Sequence, residues 1–411
     1  MKLPKIILMI MYLAMVAFGI FLTGFFRIPA PMIFCIPLVF FWKESNSKFL
    51  YAREVVLLCL SVFLYDGVGL SSLNSAFATM TSIVLCALYF SFFVGNNKQR
   101  LNSSVWIFYG LLLLSALVMV ANHYLPQVDN LRSMIMGEPV KQSPAGISAT
   151  QFAYGYQVAA FVSFALISTF VFKRGLMLKL TVFLLCSGIV FLGMQRSAFV
   201  GFALTGVVFL TLYYRFKAVL LLISMVGICL LIYSVAGEDE LQKTDNILTK
   251  NEHNDETSNR SDLAMENLRI YSEYPYGLIF YGKDWGDVIY RNYVFSRGIT
   301  SHNAYLMFIT YLGPFLGMGL LVGIYLPVVN IIWHTLRNIR APGQPMLLCI
   351  IFSFISVSIN ALSHNAWLFS ADGPTMFSFF SVIHCYRLQQ QVVHVTEQHE
   401  RKDLLKDLQY A

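Results

Sequence analysis

Residues 180–214 read LTVFLLCSGIVFLGMQRSAFVGFALTGVVFLTLYY, and Arg196 is the one charged residue in this stretch. The apolar run on each side of Arg196 approaches the roughly 20 residues that an α-helix needs to cross a bilayer. Gln195 and Arg196 leave room only for a tight turn between the two runs. This stretch therefore predicts two adjacent transmembrane helices joined by a hairpin that carries an arginine.

The same kind of apolar run recurs along the whole chain. Of its 411 residues, 57% are hydrophobic and 12% are charged, and the mean hydropathy is +0.63, a balance that soluble domains do not show. We therefore predict an all-α, polytopic membrane protein with about twelve transmembrane helices. They lie near residues 6–25, 28–42, 50–69, 74–95, 104–124, 151–172, 178–195, 197–214, 218–236, 303–332, 345–361 and 373–386.

Basic residues predict the topology, because they fall in alternate connections between these runs. The positive-inside rule assigns such connections to the cytoplasm, so both termini are predicted to be cytoplasmic, and residues 1–26 are read as a retained first helix. The net charge of +7 reflects these loops and does not by itself indicate an anionic partner. The cationic connections contain Lys43 and Lys48, Lys98 and Arg100, Lys173, Arg174 and Lys179, Arg215 and Lys217, Arg337 and Arg340, and the residues from Arg387 onward.

The predicted organisation has four parts. Residues 1–236 hold nine transmembrane helices, 237–301 form a large loop on the outer side, 302–388 hold three more helices, and 389–411 form a cytoplasmic tail. The loop is acidic as far as Glu256 and then aromatic. We predict a short helix near Asp262–Tyr271, with Leu263, Leu268 and Ile270 on its apolar side and Arg260 at its N-terminus. The aromatic part holds Tyr271, Tyr274, Tyr276, Phe280, Tyr281, Trp285, Tyr290, Tyr293 and Phe295.

Two histidines on the predicted outer side could act as a general base. His302 stands in Ser301-His302-Asn303-Ala304, where the loop meets a transmembrane helix. The partial positive charge of a helix N-terminus disfavours imidazolium and helps to keep such a ring neutral. The alternative is a polar residue that caps the helix. His364 lies in Ser363-His364-Asn365-Ala366, a repeat of the same four residues, and is a rival base.

Two arginines on that side could bind a phosphate group. Arg196 lies in the predicted hairpin and Arg260 at the start of the loop helix. A planar guanidinium suits bidentate phosphate recognition, and a helix N-terminus also favours an anion. The alternatives are a snorkelling anchor for Arg196 and a solvated surface charge for Arg260. The loop aromatics could likewise stack on sugars or form an interfacial belt.

Several motifs are absent from the sequence. There is no Walker-type loop, no glycine-rich dinucleotide fingerprint, no His-Glu-x-x-His and no cysteine pattern typical of zinc. Hydrolysis of a cytosolic nucleotide is therefore not expected to drive the protein. We expect no metal, no cofactor and no nucleic-acid partner.

The order of the remaining features resembles that of the bacterial O-antigen ligase and polymerase superfamily. In sequence order, these features are the hairpin Gly193–Ala198, Arg260, the turn Tyr274-Pro275-Tyr276-Gly277, His302-Asn303, and Gly313 with Gly317. The resemblance covers about residues 185–330. One departure stands out, because the family pattern places the second glycine three residues after the first, whereas here Gly317 is displaced by one residue.

The resemblance implies a membrane enzyme with a periplasmic active site in the bacterial inner membrane. Its donor would be a glycan on undecaprenyl diphosphate, transferred with inversion and without a metal. His302 would be the base, and Arg196 and Arg260 would bind the donor diphosphate. Asn303 and His364 are secondary candidates. The acceptor would be a lipid-linked repeat unit for a polymerase, which can work with a chain-length regulator, or lipid A core for a ligase.

Charge favours the polymerase slightly. Residues 237–301 contain seven basic and twelve acidic residues, a net charge of −5, which would repel a phosphorylated lipid A core. The displaced glycine points the same way. A lipid-linked-oligosaccharide flippase is the alternative from another class, although such proteins usually carry charges along a path through their helices or internal repeats. Here Arg53, Glu54 and Asp66 are the few such charges.

Overall fold

The computed structural model of the protein is helical throughout the part of the chain that it describes. These residues are 3–21, 29–45, 47–236, 247, 260–289, 301–341, 343–364, 368 and 372–410. No β-strand occurs among them. The predicted all-α class is therefore confirmed.

Every predicted apolar run coincides with a helix. The first part of the chain forms α1 (Leu3–Phe18), α2 (Ala30–Phe41), α3 (Ala52–Val62), α4 (Leu73–Leu88), α5 (Lys98–Tyr124), α6 (Val128–Met136), α7 (Gln151–Val171), α8 (Leu176–Leu192), α9 (Arg196–Tyr214) and α10 (Lys217–Ala236). The second part forms α11 (Arg260–Glu273), α12 (Trp285–Ile289), α13 (Ala304–Leu312), α14 (Met318–Arg337), α15 (Pro345–Asn360) and α16 (Gly373–Tyr410).

Three π-helical turns extend these helices. Phe63–Gly69 continues α3, Tyr89–Val94 continues α4, and Gly313–Gly317 joins α13 to α14. Two 3₁₀ turns, Leu278–Tyr281 and Ala361–Ser363, follow α11 and α15.

Six helical segments in the described part are long and apolar enough to cross a membrane. They are Leu73–Val94, Lys98–Tyr124, Gln151–Val171, Arg196–Tyr214, Ala304–Arg337 and Pro345–Ser363. Shorter apolar helices are Leu3–Phe18, Ala30–Phe41, Leu176–Leu192 and Lys217–Ile228. The protein is thus a polytopic, all-α membrane protein, and the number twelve stays a prediction.

Helices α7, α9 and α15 form the centre of the bundle. Most of α7 is buried around its whole circumference, as expected for a helix that is apolar on every face. Small and hydroxyl residues let the three helices approach closely, which is the usual basis of helix packing in membranes. Ser353 Oγ donates to the Ala160 carbonyl at 3.0 Å, and Ser163 and Thr205 hydroxyls lie 2.9 Å apart. This packing brings the starts of α7 and α9 beside the end of α15.

The described part of the large loop begins with the predicted helix. Helix α11 is longer than expected at both ends, and Leu263 and Ile270 are buried as predicted. Leu268 was wrongly placed on the buried side, since it is 47% exposed and Glu266 and Asn267 are buried instead. Positions 263, 266, 267 and 270 follow the i, i+3, i+4, i+7 spacing of one helix face, and 268 does not. The acidic stretch 237–256 lies outside the described residues, apart from Ile247.

Candidate functional site

His302 and His364 contact the same aromatic ring. Phe152, the second residue of α7, stacks on His302 with ring centroids 5.6 Å apart and an interplanar angle of 29°. The edge contact between Phe152 and His364 has centroids 5.2 Å apart at 66°. Phe152 is 39% exposed, so this group opens at the surface of the bundle. Tertiary structure therefore brings together the two histidines that share the Ser-His-Asn-Ala motif.

His302 sits in an uncommon backbone conformation immediately before α13. Its φ angle is +50°, in the left-handed region that side chains other than glycine rarely adopt. Such residues cluster at functional sites. The helix cap is the next residue, since Asn303 Oδ1 accepts a hydrogen bond from the Leu306 amide at 3.0 Å. Asn303 therefore has a structural role as the N-cap, and the partly exposed His302 ring is not the cap.

His364 has a different setting. It is 4% exposed and follows the 3₁₀ turn that ends α15, whereas His302 precedes a helix. The repeated Ser-His-Asn-Ala sequence is therefore not a structural repeat within the described residues. Asn365 and Ala366 lie outside them. His364 Nε2 lies 3.0 Å from Ser197 Oγ.

The hydrogen bonds of Ser197 define which nitrogen of His364 carries the proton. Ser197 Oγ donates its single hydrogen to Asn360 Oδ1 at 2.6 Å. The hydroxyl can then only accept from the imidazole, so His364 Nε2 is the protonated nitrogen. This chain of three side chains joins the end of α15 to the first turn of α9.

Arg196 is the first residue of α9, directly before Ser197. The predicted hairpin is as tight as its sequence suggested, because α8 ends at Leu192 and Met194 turns the chain with a φ of +52°. Buried Gln195 lies against α7, where a Cβ added at Gly155 would be 2.7 Å from Gln195 Oε1. A half-buried guanidinium at a helix N-terminus combines two features that favour an anion.

Arg260 is the first residue of α11, and its side chain lies outside the described part of the structure. The helix itself is docked on α13, because Thr310 Oγ1 donates to Asn267 Oδ1 at 2.5 Å. Further along both segments, Gly277 contacts Gly313. Arg260 lies about two helical turns before Asn267, and His302 about two turns before Thr310.

The turn after α11 matches its prediction, and it lies beside the first of the two glycines Gly313 and Gly317. The Gly277 amide donates to the Tyr274 carbonyl at 2.9 Å, which closes the Tyr274–Gly277 turn. Gly313 opens the π-helical turn that ends at Gly317. A π turn closes its hydrogen bonds one residue later than an α turn does. Gly313 and Gly317 thus stand at the two ends of this wider turn.

Several residues of this cluster were not predicted from the sequence. Phe152 and Asn360 carry no motif, Ser197 lies in the hairpin motif but was not singled out, and only the position of Asp372 before an apolar run could have suggested it. Asp372 Oδ2 accepts from the Thr375 hydroxyl at 2.5 Å and from its amide at 3.3 Å. Burial raises the pKa of the Asp372 carboxyl to about 7. Tyr156 links it to the cluster, because its ring lies 5.8 Å from that of His364 and it interacts electrostatically with Asp372.

A second unpredicted feature organises the segment before α7. The fully buried Arg132 donates to the Asn122 and Ser143 side chains and forms an ion pair of 2.7 Å with Asp129. It also donates to three main-chain carbonyl groups, those of Gln142, Gly146 and Ser148. Since every part of its guanidinium has a partner, its role is to hold the segment that leads into Phe152.

The loop aromatics divide into two groups. Trp285 is buried and stacks on Tyr311, so it anchors the loop to the bundle. Tyr276 and Phe280 are exposed, available to a sugar or to the membrane interface. Tyr290, Tyr293 and Phe295 lie outside the described residues.

The described ranges contain no cluster of three or more His, Cys, Asp or Glu side chains that could hold a metal ion. Within these ranges, the polar groups of the site are imidazole, guanidinium, amide, hydroxyl and the one carboxyl of Asp372. Such groups can accept a proton and neutralise an anion.

Comparison with known proteins supports the resemblance seen in the motifs. A sequence model described as O-antigen ligase matches residues 181–326. No curated protein matches the chain. The matched region contains Arg196, Arg260, His302, Gly313 and Gly317. Phe152, His364 and Asp372 lie outside it. Residues 181–326, about a third of the chain, are thus similar to the O-antigen ligase family.

Proposed function

We propose that the protein is a membrane glycosyltransferase of surface-polysaccharide biosynthesis. It transfers a glycan from undecaprenyl diphosphate to an acceptor hydroxyl at the periplasmic face of the bacterial inner membrane. The observation that carries the proposal is the chain of contacts from His302 through Phe152 and His364 to Ser197. It links a partly exposed imidazole to the helix start that bears Arg196.

His302 is the general base of the proposed reaction. An acceptor hydroxyl is a poor nucleophile, so its proton passes to the imidazole as its oxygen bonds to the sugar C1. The bond from C1 to the diphosphate oxygen breaks, and its electron pair leaves with the lipid diphosphate. Direct attack inverts the anomeric centre. The strained backbone at His302 and its position outside the helix cap support this role.

Arg196 and Arg260 neutralise the leaving diphosphate. Each begins a helix, so a guanidinium is combined with the partial positive charge of a helix N-terminus. Charge that develops on the leaving group is stabilised best by groups already in place. The Asn267–Thr310 contact docks α11 on α13, and Arg260 and His302 each precede that contact by about two helical turns.

The proposed topology has twelve transmembrane helices, the loop 237–301 on the periplasmic side and both termini in the cytoplasm. The coincidence of all twelve apolar runs with helices supports it. Lys98, Lys217 and Arg337 stand at helix ends where the positive-inside rule requires the cytoplasm.

Of the two reactions in this superfamily, we favour polymerisation with a lipid-linked repeat unit as acceptor. The net charge of −5 on residues 237–301 disfavours the phosphorylated lipid A core. The displaced Gly317, which ends the π turn Gly313–Gly317, points the same way. A chain-length regulator would be a partner of the polymerase.

A lipid-linked-oligosaccharide flippase is the second candidate. The feature that favours it is Asp66, an acid that is 5% exposed within the π turn after α3. Ionisable residues inside membrane helices often mark transport paths.

Purified protein in liposomes tests these alternatives. Lipid-linked repeat units alone should give long lipid-linked chains, whereas product formed only after addition of lipid A core would identify a ligase. Flipping without any transfer would identify a transporter and overturn the enzyme proposal.

A pair of histidine variants tests the base. His302→Ala should reduce transfer at least about 100-fold, the usual contribution of a general base. His334→Ala, at the exposed end of α14, is the matched control and should leave transfer unchanged. Normal transfer by His302→Ala would exclude the assigned role.

A further inference from the structure

His364 stands outside the region that matches the family and has its own place in the cluster. It is 4% exposed, whereas His302 is partly exposed. A sugar hydroxyl on a lipid-linked glycan must approach a base directly. The burial of His364 is unfavourable for that task.

The hydrogen bonds of His364 point to a structural connection. Its Nε2–H group donates a hydrogen bond to Ser197 Oγ at 3.0 Å, and Ser197 Oγ in turn donates to Asn360 Oδ1 at 2.6 Å. Hydroxyls in helices commonly bond back to their own backbone. Ser197 instead bonds to two residues at the end of α15, so the first turn of α9 is fixed from a neighbouring helix.

His364 also has an aromatic contact. His364 contacts the edge of Phe152, and the face of Phe152 stacks on His302. One buried imidazole therefore contacts both the residue next to Arg196 and the ring that supports His302. A displacement of His364 would move both groups.

We propose that His364 is a positioning residue that holds the start of α9, and with it Arg196, in register with the His302 ring through Ser197 and Phe152. The inference rests on the proposed function, because the positioned groups are those of the transfer reaction. It replaces the view of His364 as a second base.

Three substitutions at His364 separate positioning from base catalysis. In His364→Gln, the amide nitrogen reaches about as far as Nε2 and can donate to Ser197, but it cannot act as a base. The amide of His364→Asn is shorter and does not reach Ser197, and His364→Ala removes the donor. We expect His364→Ala and His364→Asn to lower kcat about 100-fold, the scale of a displacement near 1 Å. His364→Gln should stay within about tenfold of the native protein.

The pH profile gives a second readout. The acid limb of kcat/KM should keep its midpoint in all three variants, because the assigned base, His302, is unchanged in them. Equal inactivation of the Gln, Asn and Ala variants, with loss of that limb, would make His364 a base and overturn the proposal. Native rates in all three variants would also overturn it.

A double-mutant cycle tests the connection to α9. Ser197→Ala should lower kcat nearly as much as His364→Ala, and the double variant should lose no more than either, since coupled residues are not additive. Additive losses would contradict the connection. Ser197→Ala and His364→Gln keep the test valid if His364→Ala fails to fold. Failure of the proposed function itself would be visible separately, as absence of transfer by the native protein.

Discussion

Gly277 and Gly313 are in direct main-chain contact, where the turn after α11 meets the π turn between α13 and α14. A Cβ at Gly277 would overlap the Gly313 amide, and a Cβ at Gly313 would overlap the Tyr276 carbonyl. Their φ angles are +98° and +78°, which glycine adopts without strain. Gly277 and Gly313 therefore form one contact that docks the loop on the bundle.

Gly277→Ala or Gly313→Ala should detach this part of the loop, because each added methyl meets main-chain atoms that cannot yield. We expect faster hydrogen exchange across residues 260–289 and a loss of transfer of at least about tenfold. Gly282→Ala is the matched control. It also has a positive φ of +62° but no atom near its Cβ. Unchanged exchange in both variants, or an equal effect in the control, would contradict the docking role.

Gly155→Ala should disturb Arg196 without touching it. The new methyl would lie 2.7 Å from Gln195 Oε1, and Gln195 is buried and directly precedes Arg196. We expect transfer to fall about tenfold, as for a small displacement of a catalytic group. Gly188→Ala, on α8 with open space at its Cβ, should retain native rates. Native activity in Gly155→Ala would show that the position of Gln195 does not govern Arg196.

Arg132→Met should destabilise the segment that leads into α7. The substitution removes every bond of the buried guanidinium and leaves three main-chain carbonyls without that donor. Asp129 loses its ion pair but keeps its bonds from Asn122 and Ser143. Leaving a buried acceptor without its hydrogen bond typically costs about 1–3 kcal/mol. Thermal unfolding in detergent would measure the loss. Arg132→Lys should recover only part of it, because an ammonium group cannot reproduce a fork of five donors. Equal stability of Arg132→Lys and the native protein would show that the guanidinium geometry is not required at this position.

Asp372 should make stability depend on pH. Its pKa of about 7 lies above the value near 3.9 expected for the unfolded chain. The folded protein therefore holds this proton more tightly, and the associated stability is lost as the pH rises from about 4 to about 7. Asp372→Asn keeps an acceptor for Thr375 but removes the titration. It should be more stable than the native protein at pH 8 and no more stable at pH 4. Parallel pH profiles of the two proteins would exclude this role for Asp372.

Much of the helical framework could be predicted from local sequence. A run such as 197–214 must satisfy its backbone hydrogen bonds internally when it lies in lipid, and an α-helix does so within one segment. For the same reason the hairpin at Arg196 and the turn at Tyr274–Gly277 were predictable, since each depends on a few neighbouring residues. The buried face of α11 was harder to define, because Glu266 and Asn267 are buried by contacts with distant residues.

The sequence by itself determined the all-α membrane class, the order of the helices and the short motifs around Arg196, Arg260 and His302, because these depend on apolar length and on neighbouring residues. Tertiary structure alone decided that Phe152 stands between His302 and His364 and that Ser197 binds His364. These contacts join helices far apart in the chain, and Phe152 carries no local signal. The physical reason is that helix packing, set by small residues along α7, α9 and α15, chooses which helix ends meet.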